Sequence, residues 1–405
     1  MLKKILHTSD WHIGKKLKER ERYDEFKKFF EWLEKLIRDE EVEALLVPGD
    51  IFDTSTPSTS AQDIYYSFLS RLAGTACRHV VITSGNHDSP AFLDAPADLL
   101  KLCKINVIGA ASSDPSDEVI ILRDQAGTPE AIICAVPYLR DRDVRTLSAG
   151  ENISSLEENL TAGIKNHYEK VFELAKNLQG DSDIPVIAMG HMFLKGGRTH
   201  EGDGVRSLYV GTSIQVKSDI FPEDLLTYTA LGHLHSPQAV GRENIFYSGS
   251  PLVMDFGELK HEKAVCLLEL EQKNLTGLKK IPVPSFQRLE RVAGSMKEIL
   301  EQLEILAAER ESIWLDVVHR GNEVAGNLQE QVNEAVRFAP LLEVLSVRDE
   351  TPRAGFERSE LPKGIESIKP LEMLEIFFRE KNVPEEQQKK FQELYTEIFH
   401  EVAVL

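Results

Sequence analysis

Five short segments rich in Asp, His and Gly lie between residues 10 and 235, and each comes close behind a predicted β-strand. Four of them follow their strand directly, and the first follows one within a residue or two. In α/β sheets, ligands bind outside the carboxyl ends of the strands. The spacing therefore predicts that five distant segments meet in one crevice. They are Asp10-Trp11-His12, Gly49-Asp50-Ile51-Phe52-Asp53, Gly85-Asn86-His87-Asp88, Gly190-His191 and Gly232-His233-Leu234-His235.

The apolar pattern of the chain alternates between strand and helix periods. Strands are predicted at 5–8, 44–47, 79–83, 119–122, 131–136, 186–189, 228–231, 244–247 and 264–270. Helices are predicted around Phe26–Ile37, Ile64–Leu72 and 154–178, where apolar residues recur at helical spacing. This order predicts βαβ units with a parallel sheet, and the closeness of the last few strands predicts antiparallel pairing among them. Residues 1–280 are thus expected to form one large mixed α/β domain.

The sequence changes character after residue 280. Pro282 and Pro284 interrupt the strand pattern and predict a domain boundary. Residues 285–350 then predict a small α/β domain with strands at 288–292, 313–318 and 342–347 and helices at 295–310 and 327–338. Residues 351–370 are rich in Pro, Gly, Ser and charge, which is typical of a linker. Residues 371–405 predict a helix pair, the second helix bearing a wide apolar face from Phe391 to Val402.

The charge balance limits the partners of the chain. Lys and Arg total 47 against 66 Asp and Glu, a net charge of −19. An acidic protein does not coat nucleic acid or anionic membranes, so any DNA contact must be local, metal-assisted or supplied by a partner. No apolar run approaches the ~20 residues that span a bilayer. Cys77, Cys103, Cys134 and Cys266 form no CxxC pair and are expected to be buried thiols in the cytoplasm.

The residue types in the five segments suit a two-metal site. Borderline divalent ions bind imidazole and carboxylate together, and a pair of such ions needs a bridging carboxylate, for which Asp50 is the best candidate. Asp10 and His12 are two residues apart, as are His233 and His235, so each pair points to one side of an extended segment. A glycine precedes the ligand in four of the five segments, and each of these glycines is expected to permit a positive φ and a close backbone approach. These glycines are Gly49, Gly85, Gly190 and Gly232.

Each segment taken alone also has an ordinary structural explanation, such as a surface turn, a β-turn or a half-buried strand pair. All five together, in this order and at strand ends, favour a shared site. Two residues stay open: Asp53 either orients His87 or caps a turn, and Asp88 either caps the next helix or supports the ligands. Trp11, between two candidate ligands, is expected to pack in the core.

The set D-x-H, G-D-x-x-D, G-N-H-D, G-H and G-H-x-H resembles the calcineurin-like metallophosphoesterase superfamily over roughly residues 1–280. Within it, His7–Gly14 (H-T-S-D-W-H-I-G) resembles the double-strand-break repair nucleases. The chain length, Ala135–Arg140, Gly249–Pro251 and the small domain after the core fit that family. The resemblance implies an α/β fold: a metallophosphoesterase core with mixed β-sheets flanked by helices, plus a small capping domain and C-terminal helices.

The resemblance also implies roles for individual residues. One metal would be held by Asp10, His12, Asp50 and His235, and the second by Asp50, Asn86, His191 and His233. Two divalent ions, with Mn²⁺ expected, would bind a backbone phosphate and activate water for attack on phosphorus. His87 and Asp53 are the candidate catalytic residues. His87 would protonate the leaving oxygen or stabilise the pentavalent phosphorus, since a histidine titrates near neutral pH.

The resemblance implies a DNA nuclease: a 3′–5′ exonuclease and single-strand or hairpin endonuclease acting on double-stranded ends and hairpins in repair and recombination. It further implies an SbcC-type coiled-coil ATPase as partner and a homodimer of nuclease subunits within a heterotetramer. Residues 371–405 would bind that partner, or else pack on their own small domain, and residues 285–350 would help to position DNA. Dimer contacts are expected at 60–75 or 90–102, and no membrane partner is expected.

Two other functions remain open at this point: a cyclic-nucleotide phosphodiesterase with the same site, or a scaffold without catalysis. A protein phosphatase is disfavoured, because Thr54 and Ser55 follow Asp53 where Arg-Gly is expected. Several basic groups are either phosphate contacts or solvated surface. They are Lys195 to Arg198, His200, and the cluster of Arg140, Arg142 and Arg145.

Overall fold

The computed structural model describes residues 2–144, 153–199, 215–321, 327–351, 378 and 388. The chain divides into two compact units, Met1–Glu350 and Thr351–Leu405. Of the second unit, Thr351, Phe378 and Gln388 are described, and the last two are helical. The predicted linker at 351–370 and the helix pair at 371–405 therefore lie almost wholly outside the described residues.

The first unit contains fifteen strands and eight α-helices among its described residues. The strands are β1 (Lys4–His7), β2 (Ala44–Pro48), β3 (His79–Thr83), β4 (Ile105–Ile108), β5 (Val119–Arg123), β6 (Pro129–Ala135), β7 (Val186–His191), β8 (Tyr228–Gly232), β9 (Gln238–Val240), β10 (Arg242–Tyr247), β11 (Ala264–Glu271), β12 (Asn274–Pro282), β13 (Arg288–Gly294), β14 (Ile313–His319) and β15 (Leu342–Asp349). The helices are α1 (Tyr23–Asp39), α2 (Thr59–Arg71), α3 (Pro90–Asp94), α4 (Ala97–Lys101), α5 (Asp141–Val144), α6 (Ile153–Gln179), α7 (Met296–Ala308) and α8 (Leu328–Val336).

Two six-stranded sheets form the core of the large domain. The first has the order β12-β11-β1-β2-β3-β4, with β1 to β4 parallel to one another. The second has the order β5-β6-β7-β8-β10-β9, in which β6, β7, β8 and β10 are parallel. The central strands are buried on both faces, which explains their continuous apolar runs.

The sheets pack face to face, and helices cover their outer faces. Ile5, Leu46 and Val81 of the first sheet share one buried cluster with Ile133 and Ile187 of the second. Helices α1 and α2 cover the first sheet and α6 covers the second. The apolar stripe of α1 is fully buried, as its helical spacing predicts. Its members are Phe26, Phe29, Phe30, Leu33 and Ile37.

The pairing of the later strands differs from the prediction. Strands β8 and β10 are parallel. After β10 the chain returns to the first sheet, where β11 pairs antiparallel with β1. The antiparallel pairs in this region, β9 with β10 and β11 with β12, each contain a strand that the sequence did not predict, so the expected pairing among β8, β10 and β11 is wrong. Closeness in sequence misleads here because the chain crosses between sheets after β10.

Residues 285–350, the predicted small α/β domain (called the small domain below), form a parallel three-stranded sheet in the order β13-β14-β15 whose core includes residues of α7 and α8, and they belong to the same compact unit as the two larger sheets. Helix α7 begins at a capping box, in which the Ser295 side chain and Glu298 satisfy each other's backbone N–H groups. A separate apolar cluster of Leu17, Phe256 and Trp314 joins this domain to the large one. The guanidinium of Arg20 stacks 5.5 Å above the Trp314 ring.

The cysteines are free thiols, and three of the four match their predicted burial. Cys77, Cys134 and Cys266 are buried, but Cys103 is exposed. Its position explains the difference, because it follows the exposed Leu102 just after α4. In the part of the chain that the structure describes, no helix is both long and apolar enough to cross a membrane.

Candidate metal centre

The five segments meet where the carboxyl ends of β1, β2, β3, β7 and β8 come together. Backbone hydrogen bonds join the first two segments: the amide of Asp10 donates to Gly49 (3.2 Å) and that of His12 to Asp50 (2.9 Å). Carboxylates join the others, since Asp10 Oδ1 accepts from the amide of His233 (2.8 Å) and Asp50 Oδ1 from that of His87 (2.9 Å). The two sheets are thus held together at the site by the candidate ligands themselves.

The first group of candidate ligands contains Asp10, His12 and His235, whose ligand atoms all lie within 4.8 Å of one another. The Nε2 atoms of His12 and His235 face each other at 3.2 Å. All three residues are buried, with at most 4% of their surface exposed. These residues match three of the four expected for the first metal.

The second group contains Asp10, Asp50 and His191, again within 4.8 Å. Asn86 adjoins it, since its Oδ1 lies 3.0 Å from Nε2 of His191. The His233 ring centroid lies 5.4 Å from that of His191. Asp50 lies between the two groups, as a bridging ligand would. The structure thus brings all seven predicted metal ligands close together. Asp10 belongs to both groups, which the sequence did not predict.

Burial and neighbouring charges shift the pKa values of several groups in the cluster. Burial would lower the pKa of His191, but the charge of Asp50 and their hydrogen bond raise it to about 9. Burial lowers the pKa of His12 and of His233 well below the ordinary value, so their lone pairs are available to a metal. Burial also raises the pKa of Asp10 to about 6. Buried carboxylates, imidazoles and one amide form a donor set typical of Mn²⁺, Fe²⁺ or Zn²⁺.

The four glycines before the ligands make the expected close approaches but mostly lack the expected positive φ. Of the four glycines before ligand segments, Gly49 alone has a positive φ (85°). Gly232 is needed for close approach instead, because a Cβ there would overlap the carbonyl oxygen of Pro48. Four of the ligand candidates themselves adopt the left-handed backbone conformation. These are Asp10 (φ 53°), His12 (46°), Asp50 (51°) and His233 (106°).

His87 adjoins the cluster, with a ring nitrogen within 4.8 Å of ligand atoms of His12 and Asp53. Its ring packs edge-on against the His12 ring, with centroids 4.6 Å apart. Its Nδ1 donates to the backbone carbonyl of Asp53 at 2.8 Å. That contact fixes the ring so that Nε2 is the atom left to meet a substrate.

The Asp53 carboxylate lies near His87 but beyond hydrogen-bonding distance of its Nδ1. Its Oδ1 lies 3.1 Å from Nζ of Lys15, 3.7 Å from Nδ1 of His12 and 3.9 Å from Nδ1 of His87. The backbone of Asp53, not its side chain, therefore holds His87. Lys15 brings a positive charge to the edge of the site, and sequence analysis missed it although it lies only three residues after His12.

Asp88 supports the ligand loops. Its carboxylate accepts hydrogen bonds from the backbone amides of Ile51 (3.0 Å), Phe52 (2.9 Å) and Gly85 (2.8 Å). It thus ties the loop that carries Asp50 to the loop that carries Asn86. The helix-capping alternative is wrong, because Ser89 caps α3.

A buried ion pair behind His235 was missed altogether. Glu258 Oε1 accepts from Nδ1 of His235 at 2.8 Å, and Glu258 Oε2 accepts from Nζ of Lys263 at 2.6 Å. Burial would raise the pKa of Glu258, but the charge of Lys263 and the His235 contact hold it below its usual value. No motif signals this pair, since Glu258 lies 23 residues from His235 in sequence.

The remaining singled-out residues are mostly peripheral. Trp11 is fully buried and packs edge-on against Phe30 and Phe68, which confirms its predicted place in the core. Lys195 and Arg198 are exposed. Arg140 reaches the carbonyl of Asp88 at 3.5 Å, and the Arg142 side chain is 75% exposed. Arg145 and His200 lie outside the described residues.

Two family models match the chain. Residues 3–266 match the calcineurin-like phosphoesterase model. Residues 285–382 match a model described as the type 5 capsule protein repressor C-terminal domain. The break in sequence pattern at Pro282 and Pro284 lies in the gap between the two matches.

Curated relatives match over most of the chain. The SbcD subunit of the nuclease SbcCD from Escherichia coli K12 is 33% identical over 406 aligned residues, covering 99% of this chain and 98% of the relative. Proteins of the same name from Rhodobacter capsulatus and Bacillus subtilis are 34% and 29% identical. These cover 75% and 78% of this chain, and 76% and 78% of the relatives.

Proposed function

The chain belongs to the calcineurin-like phosphoesterase family and, within it, to the SbcD nucleases, and from this membership we propose that it is a metal-dependent DNA nuclease. The single observation that carries the proposal is the cluster of seven ligand candidates around Asp50, six of them buried, with His87 at its edge. The full-length relatives are named as nucleases, and no contact in the described residues favours a cyclic-nucleotide phosphodiesterase or a scaffold.

Two divalent ions would be held in this cluster. One position would use Asp10, His12 and His235, the other Asn86, His191 and His233, with Asp50 between them. We expect Mn²⁺ at both positions, which the mixed imidazole, carboxylate and amide donors accommodate. When bound, the ions would polarise the phosphate and lower the pKa of the attacking water.

The chain's own groups then act on the leaving side of the phosphate. His87, held through Nδ1 by the Asp53 carbonyl, would present Nε2 to the oxygen that departs and supply its proton. The Asp53 side chain would act indirectly, by holding Lys15 and facing His12. Lys15 would bind a neighbouring phosphate by its charge.

The substrate would be double-stranded DNA at ends and hairpins, cleaved as a 3′–5′ exonuclease and as a single-strand or hairpin endonuclease. The net charge of −19 leaves little of this chain suited to wrapping DNA. Local basic groups near the site, Lys15 and Arg140 among them, would guide the strand. Most of the DNA-binding surface would come from a partner.

That partner would be an SbcC-type coiled-coil ATPase, bound through residues 371–405. Two copies of this chain would form a homodimer within a heterotetramer. The stretch 90–102 suits the dimer contact better than 60–75, because Leu99 and Leu102 are 68% and 82% exposed. The apolar residues of α2 between 60 and 72, by contrast, are buried in the core.

A cytoplasmic location would fit the thiols. All four cysteines are unpaired, and Cys103 is exposed. An exposed free thiol persists in a reducing compartment.

The test is a time course on end-labelled linear duplex with Mn²⁺, with the chain alone and in complex with its ATPase partner. His87→Ala should retain its Mn²⁺ but cleave roughly 10²–10⁴-fold more slowly. His167→Ala is the matched control, because His167 binds Glu118 away from the cluster, and it should cleave normally. A wild-type complex that binds Mn²⁺ but cleaves no DNA, while hydrolysing a cyclic nucleotide, would overturn the nuclease assignment.

A further inference from the structure

The ring of His235 is held from behind by a charged pair. Its Nδ1 lies 2.8 Å from Oε1 of Glu258, so its Nε2 points into the cluster, 3.2 Å from Nε2 of His12. A carboxylate acceptor requires the proton to be on Nδ1, which leaves the Nε2 lone pair for a metal. Glu258 thereby fixes both the direction of the ring and its tautomer.

Glu258 is itself held rigidly. It is fully buried, and its Oε2 accepts from Nζ of Lys263 (2.6 Å) and from the amide of Met254 (2.8 Å). Lys263 also donates to Ser250 Oγ (2.8 Å) and to the carbonyl of His235 (3.2 Å). Both charged groups of the Glu258–Lys263 pair are therefore fully hydrogen-bonded, and these bonds hold the Glu258 carboxylate in one position.

The other metal position has a weaker version of this arrangement. Nδ1 of His191 donates to the backbone carbonyl of Pro48 at 3.1 Å. A neutral carbonyl orients an imidazole but adds little electron density to it, whereas a carboxylate raises its basicity. The two histidines thus differ in the group that accepts the hydrogen bond from Nδ1, which is a carboxylate for His235 and a backbone carbonyl for His191.

We propose that Glu258, paired with Lys263, is a positioning residue for His235 and strengthens metal binding at the position that contains Asp10, His12 and His235. This rests on the metal-dependent function proposed above. The effect is local to one position, because the side-chain hydrogen bonds of Glu258 within the described residues reach His235, Met254 and Lys263 and none of the ligands of the other position.

The test is an equilibrium Mn²⁺ titration of the full chain, with bound and free Mn²⁺ followed by electron paramagnetic resonance. Wild type should bind two ions, and Glu258→Gln should weaken one of them by roughly 10–100-fold. Glu118→Gln is the matched control, since Glu118 is equally buried and accepts from His167 at 2.8 Å but does not face the cluster. It should leave both affinities unchanged.

Double variants separate positioning from general structure. In a His235→Ala background, Glu258→Gln should change Mn²⁺ affinity by less than about twofold, because its effect passes through His235. In an Asn86→Ala background, the loss should persist in full. If Glu258→Gln fails to fold, Glu258→Gln with Lys263→Met removes both charges and should give the same one-position loss.

Wild-type affinity in the folded Glu258→Gln variant would overturn this inference, as would an equal loss with and without His235. Neither result bears on the proposed nuclease function, because that function is tested by DNA cleavage and not by the properties of Glu258 variants. If wild type bound no Mn²⁺ and cleaved no DNA, the proposed function would fail instead.

Discussion

Asp50 Oδ2 lies 3.4 Å from Nε2 of His191, so a carboxylate from the first sheet meets an imidazole from the second. The same oxygen lies 3.5 Å from Nε2 of His12. A single side chain thus stands between both candidate metal positions, and it also accepts the amide of His87 through its other oxygen.

The first prediction concerns this shared carboxylate. Asp50→Asn keeps the shape but removes the charge, so both Mn²⁺ positions should weaken together. Activity should fall by more than about 100-fold, since even the loss of a residue that only hydrogen-bonds to a metal ligand lowers metal affinity or activity by about 10–100-fold. A Mn²⁺ titration beside the cleavage assay checks this. Loss of one ion with the other unchanged would show that Asp50 does not bridge.

The second prediction separates backbone from side chain at Asp53. Because the carbonyl of Asp53 holds His87, Asp53→Ala should preserve that contact and lower kcat by less than about tenfold. His87→Ala should lower kcat far more. Steady-state kinetics on one DNA substrate compares them, with Asp53→Asn as the isosteric control. A loss in Asp53→Ala as large as in His87→Ala would place the Asp53 carboxylate in the chemistry.

The third prediction concerns the loops that Asp88 ties together. Asp88→Ala leaves three backbone amides without their acceptor and should lower the free energy of unfolding by about 3 kcal/mol. Urea denaturation measures this. Asp94→Ala is the control, because Asp94 accepts from one amide, that of Gly109, and should cost about 1 kcal/mol. Equal losses in the two variants would contradict the role given to Asp88.

The fourth prediction is a pH dependence in the small domain. Burial would raise the pKa of Asp316, but hydrogen bonds from Arg348 and Arg291, both 2.7 Å, lower it below its ordinary value. The stabilisation is therefore complete above the unfolded pKa, about 3.9, and is lost as the pH falls through the lower folded value. Asp316→Asn should cost about 2 kcal/mol at pH 7 and progressively less toward pH 3.

Urea denaturation at several pH values follows this difference. Glu290→Gln is the control, because Glu290 pairs with Arg288 on the surface of the same domain and should change stability little at any pH. A constant difference between wild type and Asp316→Asn from pH 7 to pH 3 would contradict the assignment.

The sequence predicts most of the candidate site because its residues lie directly after the ends of strands. Asp10, Asp50 and Asn86 follow adjacent parallel strands, so local patterns were enough to bring them together. Glu258 could not be found in this way, since its contact with His235 depends on how a later segment folds back. The parallel pairing of β8 and β10 was missed because the short strand between them in sequence, β9, lies on the far side of β10 in the sheet.

Other differences arise from packing. The exposed Cys103 lies in an apolar stretch whose surface position only the tertiary structure decides. The role of Asp88 was left open because capping and loop support use the same carboxylate chemistry, and the choice depends on the neighbouring Ser89.

The left-handed backbone at four ligand positions has a consequence for attempts to engineer this chain. Each non-glycine residue in that conformation costs about 1–2 kcal/mol, although Asp and His tolerate it better than most. Glycine at Asp10 or Asp50 would relieve this strain and remove a buried charge. Searches for thermostable variants will therefore favour changes at the very positions that bind metal, and a library selected for heat resistance alone would drift toward inactive proteins.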